Sequence, residues 1–160
     1  MISKSRVLRE IVEELNRALE TLAGAARAMH ADASDEQNKA EDKYDTRGLE
    51  TAYLASSQSR QATEVEQALA QYQSLKLQKF TDKSPIDLTA LVELESQGHR
   101  TFYFLGPKSG GTEINIGGDE ILVITPESPL GRELVGKKVG DRIQLQTRGP
   151  AQQFRITSVR

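Results

Sequence analysis

Two long proline-free segments with a seven-residue apolar repeat limit this chain more than any other feature. In the first, Leu8, Leu15, Leu22 and Met29 recur every seven residues, with Ile11, Ala18 and Ala25 between them. Val12, Leu19 and Ala26 widen the stripe, the pattern of a helix packed along its length against a close partner. Ser3 or Ser5 can cap its start by accepting a backbone N–H, and the periodicity predicts helix through Ala31. The second segment runs from about 49 to 75, with Ala55, Ala62 and Leu69 on one row and Gln58, Val65 and Tyr72 on the other. At 1.5 Å per residue each helix extends roughly 40–45 Å, more than a small globular core requires. The expectation is an N-terminal all-α antiparallel coiled-coil hairpin over 1–79, narrowing where Ala23, Gly24, Ala25, Ala26 and Ala28 replace larger residues.

Between the helices, residues 32–50 form the tip. From Asp32 to Asp45 there are six acids against two lysines, a local charge of −4 in a chain whose net charge is only −2. Clustered carboxylates at a turn suit a hard divalent cation, most naturally magnesium, which keeps several waters and borrows oxygens from a substrate. A solvated acidic loop is the simpler alternative. With no polybasic cluster in 160 residues, phosphate neutralisation on nucleic acid is not indicated, and a protein partner is favoured over sequence-specific DNA binding. There is no cysteine and no apolar run of about 18 residues, so the reading is a soluble, cytoplasmic chain with no membrane association.

The pattern changes after Phe80. Thr81-Asp82-Lys83-Ser84-Pro85 ends the helix, and six short β-prone runs follow at 90–95, 101–105, 113–116, 121–125, 142–146 and 153–159. Gly98, Gly106-Pro107, Gly110-Gly111, Gly117-Gly118 and Gly149-Pro150 separate them. A compact antiparallel sheet is expected, interrupted by one short helix in which Ser128 caps, Pro129 takes the first position and Gly136 closes the end. Residues 86–160 are therefore read as a small α+β domain.

Enzyme patterns are weak. Gly131 to Lys138 reads G-x-x-x-x-G-K-K, which lacks the hydroxyl that binds magnesium in a phosphate loop and is explained as cap, helix and stop. His30 and His99 are the only histidines, lie in different domains and have no cysteine partners. No nucleophile elbow is present.

The run Ile124-Thr125-Pro126-Glu127-Ser128-Pro129-Leu130-Gly131-Arg132-Glu133-Leu134-Val135-Gly136-Lys137-Lys138-Val139-Gly140-Asp141 resembles the C-terminal signature of the bacterial Gre family of transcription elongation factors, GreA and GreB. The resemblance covers nearly the whole chain, because that family places an antiparallel coiled coil before an FKBP-like domain. It implies an accessory factor, not an enzyme, that acts as a monomer on bacterial RNA polymerase. Ser128, Pro129, Arg132 and Lys137 would dock on the rim of the secondary channel, and the coiled coil would enter it. The acidic tip would then help hold a magnesium ion shared with the polymerase, so that the polymerase cleaves its own backtracked transcript. The family's tip pattern resembles D-x-x-E-N-A-E-Y. Anchoring its tyrosine on Tyr53 puts the Asp and Glu positions on Thr46 and Leu49, neither of which is a carboxylate. Asp42 and Asp45 have the same three-residue separation one turn earlier and are assigned as the tip and metal pair, with Glu41 and Glu50 in reserve. The altered tip keeps open a second variant, a regulator or inhibitor that enters the channel without promoting cleavage.

Two other classes are carried. An FKBP-like domain would imply a peptidyl-prolyl isomerase or chaperone if its aromatics lined a pocket; alternation puts Phe102 and Phe104 on one face and Tyr103 on the other, and core packing accounts for the Phe pair. An inert scaffold would dimerise through exposed seams, whereas an intramolecular hairpin stays monomeric.

Overall fold

The structure is a computed structural model and describes residues 1–34, 47–146 and 148–160. Its N-terminal region is helical: α1 spans Lys4–Ser34 and α2 spans Arg47–Gln73. Six strands follow, β1 (Leu91–Ser96), β2 (His99–Leu105), β3 (Glu113–Ile116), β4 (Asp119–Ile124), β5 (Arg142–Leu145) and β6 (Gln152–Val159), with a third helix, α3 (Pro129–Leu134), between β4 and β5. Ser3 starts α1, its Oγ accepting the Arg6 N–H at 3.3 Å. Among the described residues no helix is long and apolar enough to cross a membrane.

The described chain packs as two units, Met1–Val12 with Gln71–Arg160, and Glu13–Ala70. The division falls inside both helices and not at the turn after Phe80. The reason is burial: Ile2, Val7, Ile11 and Tyr72, at the sheet-side ends of the helices, are buried with the strands' unit. Val7 takes the fully buried position there, and Leu8, on the expected heptad row, is half-buried. Within the Glu13–Ala70 unit, Leu15 and Ala68 are buried, while Ala18, Leu22, Ala25, Ala62, Val65 and Leu69 are half-buried. Gln58 Oε1 is buried there with no hydrogen-bond partner among the described residues, on the polar stretch of the second helix.

The six strands form one sheet in the order β3-β4-β2-β1-β6-β5. Short strands separated by glycine and proline turns lead to the expectation of an antiparallel sheet, and one pairing departs from it: β2 and β4 run parallel. The chain leaves β2, passes over one strand position to form β3 at the edge, and turns back through Gly117 and Gly118 into the gap. Both glycines have positive φ, 65° and 96°, the conformation a two-residue hairpin needs to match strand twist. In that gap β4 is antiparallel to β3 and parallel to β2, so β3 and β2 run in opposite directions on either side of it.

The sheet buries both faces in part. On one, Val92, Leu94, Leu105, Ile124, Ile143, Ile156 and Val159 close a core with Ile86 and Leu134. Tyr103, Leu122, Phe154 and Leu130 pack against its margin. On the other, Leu91, Phe104 and Val123 lie side by side across β1, β2 and β4 and are at most 2% exposed. At roughly 25 cal/mol per Å² of apolar surface, a side chain such as Phe104 contributes about 2–3 kcal/mol by being buried.

Candidate functional site

Residues 124–141 fold as one continuous element fixed to the sheet at both ends. Ser128 sits in extended backbone before α3, its Oγ accepting the Gly131 N–H at 3.0 Å and donating to the Thr125 carbonyl at 2.7 Å. Pro129 occupies the first turn, where a missing N–H loses nothing. Gly131 is buried, and a Cβ there would overlap the Thr125 carbonyl oxygen and come within 2.9 Å of Ser128 Oγ. Only glycine lets the helix start this close to the end of β4.

Leu134 anchors the helix in the core at 0% exposure. The stop follows at once: Gly136 takes φ 83°, its N–H bonds to the Ile86 carbonyl at 2.8 Å, and the Ile86 N–H bonds to the Lys137 carbonyl at 2.7 Å. Lys138 and Asp141 close the next turn, the Lys138 N–H donating to Asp141 Oδ2 at 2.8 Å. The Gly140 N–H then bonds to the Ile156 carbonyl, and the Ile156 N–H to the Asp141 carbonyl, each at 2.9 Å.

This division of labour separates the four residues assigned to docking. Ser128 is half-buried and serves the fold as cap, with Pro129 exposed beside it. Arg132 and Lys137 are exposed, with no ion pair to another described residue. Sequence reasoning missed Val135 and Lys138. Val135 is 41% exposed, one of two large apolar side chains exposed among the described residues, and it lies between Arg132 and Lys137 in the sequence. Its exposure follows once Leu134 is the buried one of the two, since adjacent helical residues do not share a face. Arg132, Val135, Lys137 and Lys138 are all exposed on this short stretch, together with Glu133, the mixture of apolar and charged groups that a protein-contact surface carries. Beside them a groove of about 540 Å³ is lined by Pro129, Glu133, Gln144, Leu145, Gln146 and Ala151.

The tip assignments lie elsewhere. Glu41, Asp42 and Asp45 are outside the described residues, and Glu50 is in α2 with its side chain outside them. Among the described residues no cluster of three or more His, Cys, Asp or Glu could hold a metal ion. The β2 aromatics do not converge on an apolar pocket. Phe104 is wholly buried, and Phe102 and Tyr103 border a groove of about 360 Å³ whose other walls include Arg100, Asp119 and Glu120.

The six-stranded unit and the capped element after β4 fall within the match to a family of transcription elongation factors, and that match gives the class. A family model described as "Transcription elongation factor, GreA/GreB, C-term" matches residues 81–160, half of the chain. The chain belongs to the GreA/GreB family. The transcription elongation factor GreA of Syntrophus aciditrophicus is 32% identical over 78 residues, which is 49% of this chain and 45% of that protein. The matched stretch thus spans less than half of that curated relative's length. Among solved structures, Gfh1 of Thermus aquaticus is similar at 21% identity, with 92% of each chain covered and a TM-score of 0.39. The GreA/GreB factor of Nitrosomonas europaea is similar at 18% identity, covering 69% of this chain and 91% of that one, with a TM-score of 0.38.

Proposed function

We propose that this chain is an accessory factor of bacterial RNA polymerase that docks through the element at 124–141 and enters the secondary channel with its helices. The observation that carries this reading is the exposure of Arg132, Val135, Lys137 and Lys138 on a scaffold fixed by Ser128, Gly131 and Gly136, in the half of the chain that the family model matches. In this reading the strand unit is the FKBP-like domain, α1 and α2 form an antiparallel coiled coil, and the factor is a monomer with no sequence-specific DNA contact. The chemistry belongs to the polymerase.

Asp42 and Asp45 would bring carboxylate oxygens to a magnesium ion shared with the polymerase, which when bound supplies an activated water for hydrolysis of the backtracked transcript. Thr46 and Leu49, at the family's own acidic positions, supply no such oxygens. The same docking without an effective carboxylate pair gives a channel-entering regulator that does not promote cleavage.

The test adds purified protein to a backtracked polymerase complex and follows the 3′ ends. Shortened transcripts with the wild type, lost in Asp42→Ala and Asp45→Ala, support the cleavage reading. Retained binding without shortening assigns the non-cleaving role, and failure to co-purify with polymerase overturns the docking reading.

A further inference from the structure

We propose that Arg142 and Arg155, on the sheet face opposite α3, form a docking site for an acidic segment of a protein partner. The site lies beyond the docking element at 124–141, and its test requires no polymerase.

Strand register places the two arginines. Leu94, Ile156, Ile143 and Phe154 point into the core that holds Leu134 of α3. Their strand neighbours Glu95, Arg155 and Arg142 therefore point to the other face. The pairings Arg142↔Arg155, Arg155↔Glu95 and Glu95↔Arg100 set these side chains in one row across β5, β6, β1 and β2. Arg142, Arg155 and Arg100 are exposed, and Glu95 is half-buried.

Arg100 has a counterion. Its Nε lies 3.5 Å from Glu93 Oε1, which also accepts the Thr157 hydroxyl at 3.1 Å. Arg142 and Arg155 have none: neither side chain makes an ion pair or hydrogen bond with another described residue. The nearest acid of the adjoining turn, Asp141, is committed to the Lys138 N–H. Like charges directly opposite on neighbouring strands destabilise a sheet, and Glu95, opposite Arg155 on its other side, offsets that repulsion only for Arg155 and without forming an ion pair. A carboxylate entering between the two guanidinium groups removes that repulsion and gains charge-assisted hydrogen bonds.

The row also selects the occupant. Gln144↔Gln153, two residues further along the same face, presents amide donors and acceptors for a peptide main chain about 7 Å away. Glu95 sits beside Arg155, so the row offers two adjacent cations flanked by an acid, which suits a segment with spaced carboxylates better than the evenly charged backbone of a nucleic acid. The chain's net charge of −2 adds no general attraction for nucleic acid.

The probe is a fluorescent peptide of alternating glutamate and serine, titrated with full-length protein at about 50 mM salt, where the Debye length still exceeds 10 Å. Saturable binding is expected, weakened about tenfold or more in Arg142→Gln/Arg155→Gln. Arg142→Gln alone, which leaves Arg155 beside Glu95, should melt about 1–5 °C higher than wild type, because the repulsion is gone. No binding by the wild type, equal binding by the double variant, or a lower melting temperature in Arg142→Gln overturns the proposal. Tighter binding of a short oligouridylate than of the peptide overturns it in favour of nucleic acid.

Discussion

The Tyr72 hydroxyl donates to the Lys108 carbonyl at 2.6 Å, tying the end of α2 to the loop between β2 and β3. The phenol lies over Gly106, where a Cβ would overlap the Tyr72 oxygen and approach Val123 Cγ1 to 3.2 Å. Tyr72 is fully buried, and burial pushes its hydroxyl far above the usual tyrosine range.

That burial gives a pH signature. Tyr72 stays neutral in the folded state, whereas in the unfolded chain it ionises above about pH 10. Its contribution is therefore complete below pH 10 and is lost as pH rises, by about 1.4 kcal/mol per pH unit. Tyr72→Phe should lose about 1–2 kcal/mol at neutral pH, by removing the bond to Lys108, and should show a shallower alkaline decline. Urea unfolding of both proteins across pH 7 to 11 measures this.

Gly131→Ala should be disproportionately damaging for so small a change. The added carbon meets backbone, not a flexible side-chain end, so β4 and α3 must separate. A loss of about 2–3 kcal/mol is expected, against about 1 kcal/mol for removing the Ser128 cap with alanine. Thermal melts of the two single variants give the ranking.

Arg132→Ala/Lys137→Ala should separate docking from folding. Both side chains are exposed and unpaired among the described residues, so the melting temperature should stay within about 2 °C of wild type. Co-purification with RNA polymerase should fall about tenfold. A variant that binds as wild type does would relocate the docking surface.

Thr46→Asp/Leu49→Glu restores carboxylates at the two positions aligned with the family's tip pattern. If Thr46 and Leu49 limit transcript cleavage, the double variant should shorten backtracked transcripts about tenfold or more faster than wild type, with polymerase binding unchanged. Single-turnover cleavage time courses would show it.

Local chemistry made much of the strand unit legible. Ser128, Pro129 and Gly136 bracket α3, and glycine pairs mark the hairpins, so each element could be placed from a few neighbouring residues. Relations between distant residues could not. Alternation tells which face a side chain takes and not which way a strand runs, so the parallel β2–β4 pairing was hidden. Nor does a heptad pattern say that Val7, Ile11 and Tyr72 are buried with the sheet. Arg142 and Arg155 lie in separate runs and become neighbours only through register. At the docking element the capping logic was readable, while the exposure of Val135 needed the fold.

The position of β6 has a consequence for when the protein can exist. Although last among the strands in the chain, it lies inside the sheet, between β1 and β5. A ribosome that has delivered β1 to β5 has therefore produced a β1 with one edge bare and a β5 with no neighbour to join. Arg142 to Leu145 can be complete and still lack the strand that unites β5 with β1, while β3 and β4 already reach β1 through β2. The sheet must await its final eight-residue strand, so a chain truncated before Gln152 would carry open strand edges, the feature that invites pairing with other chains.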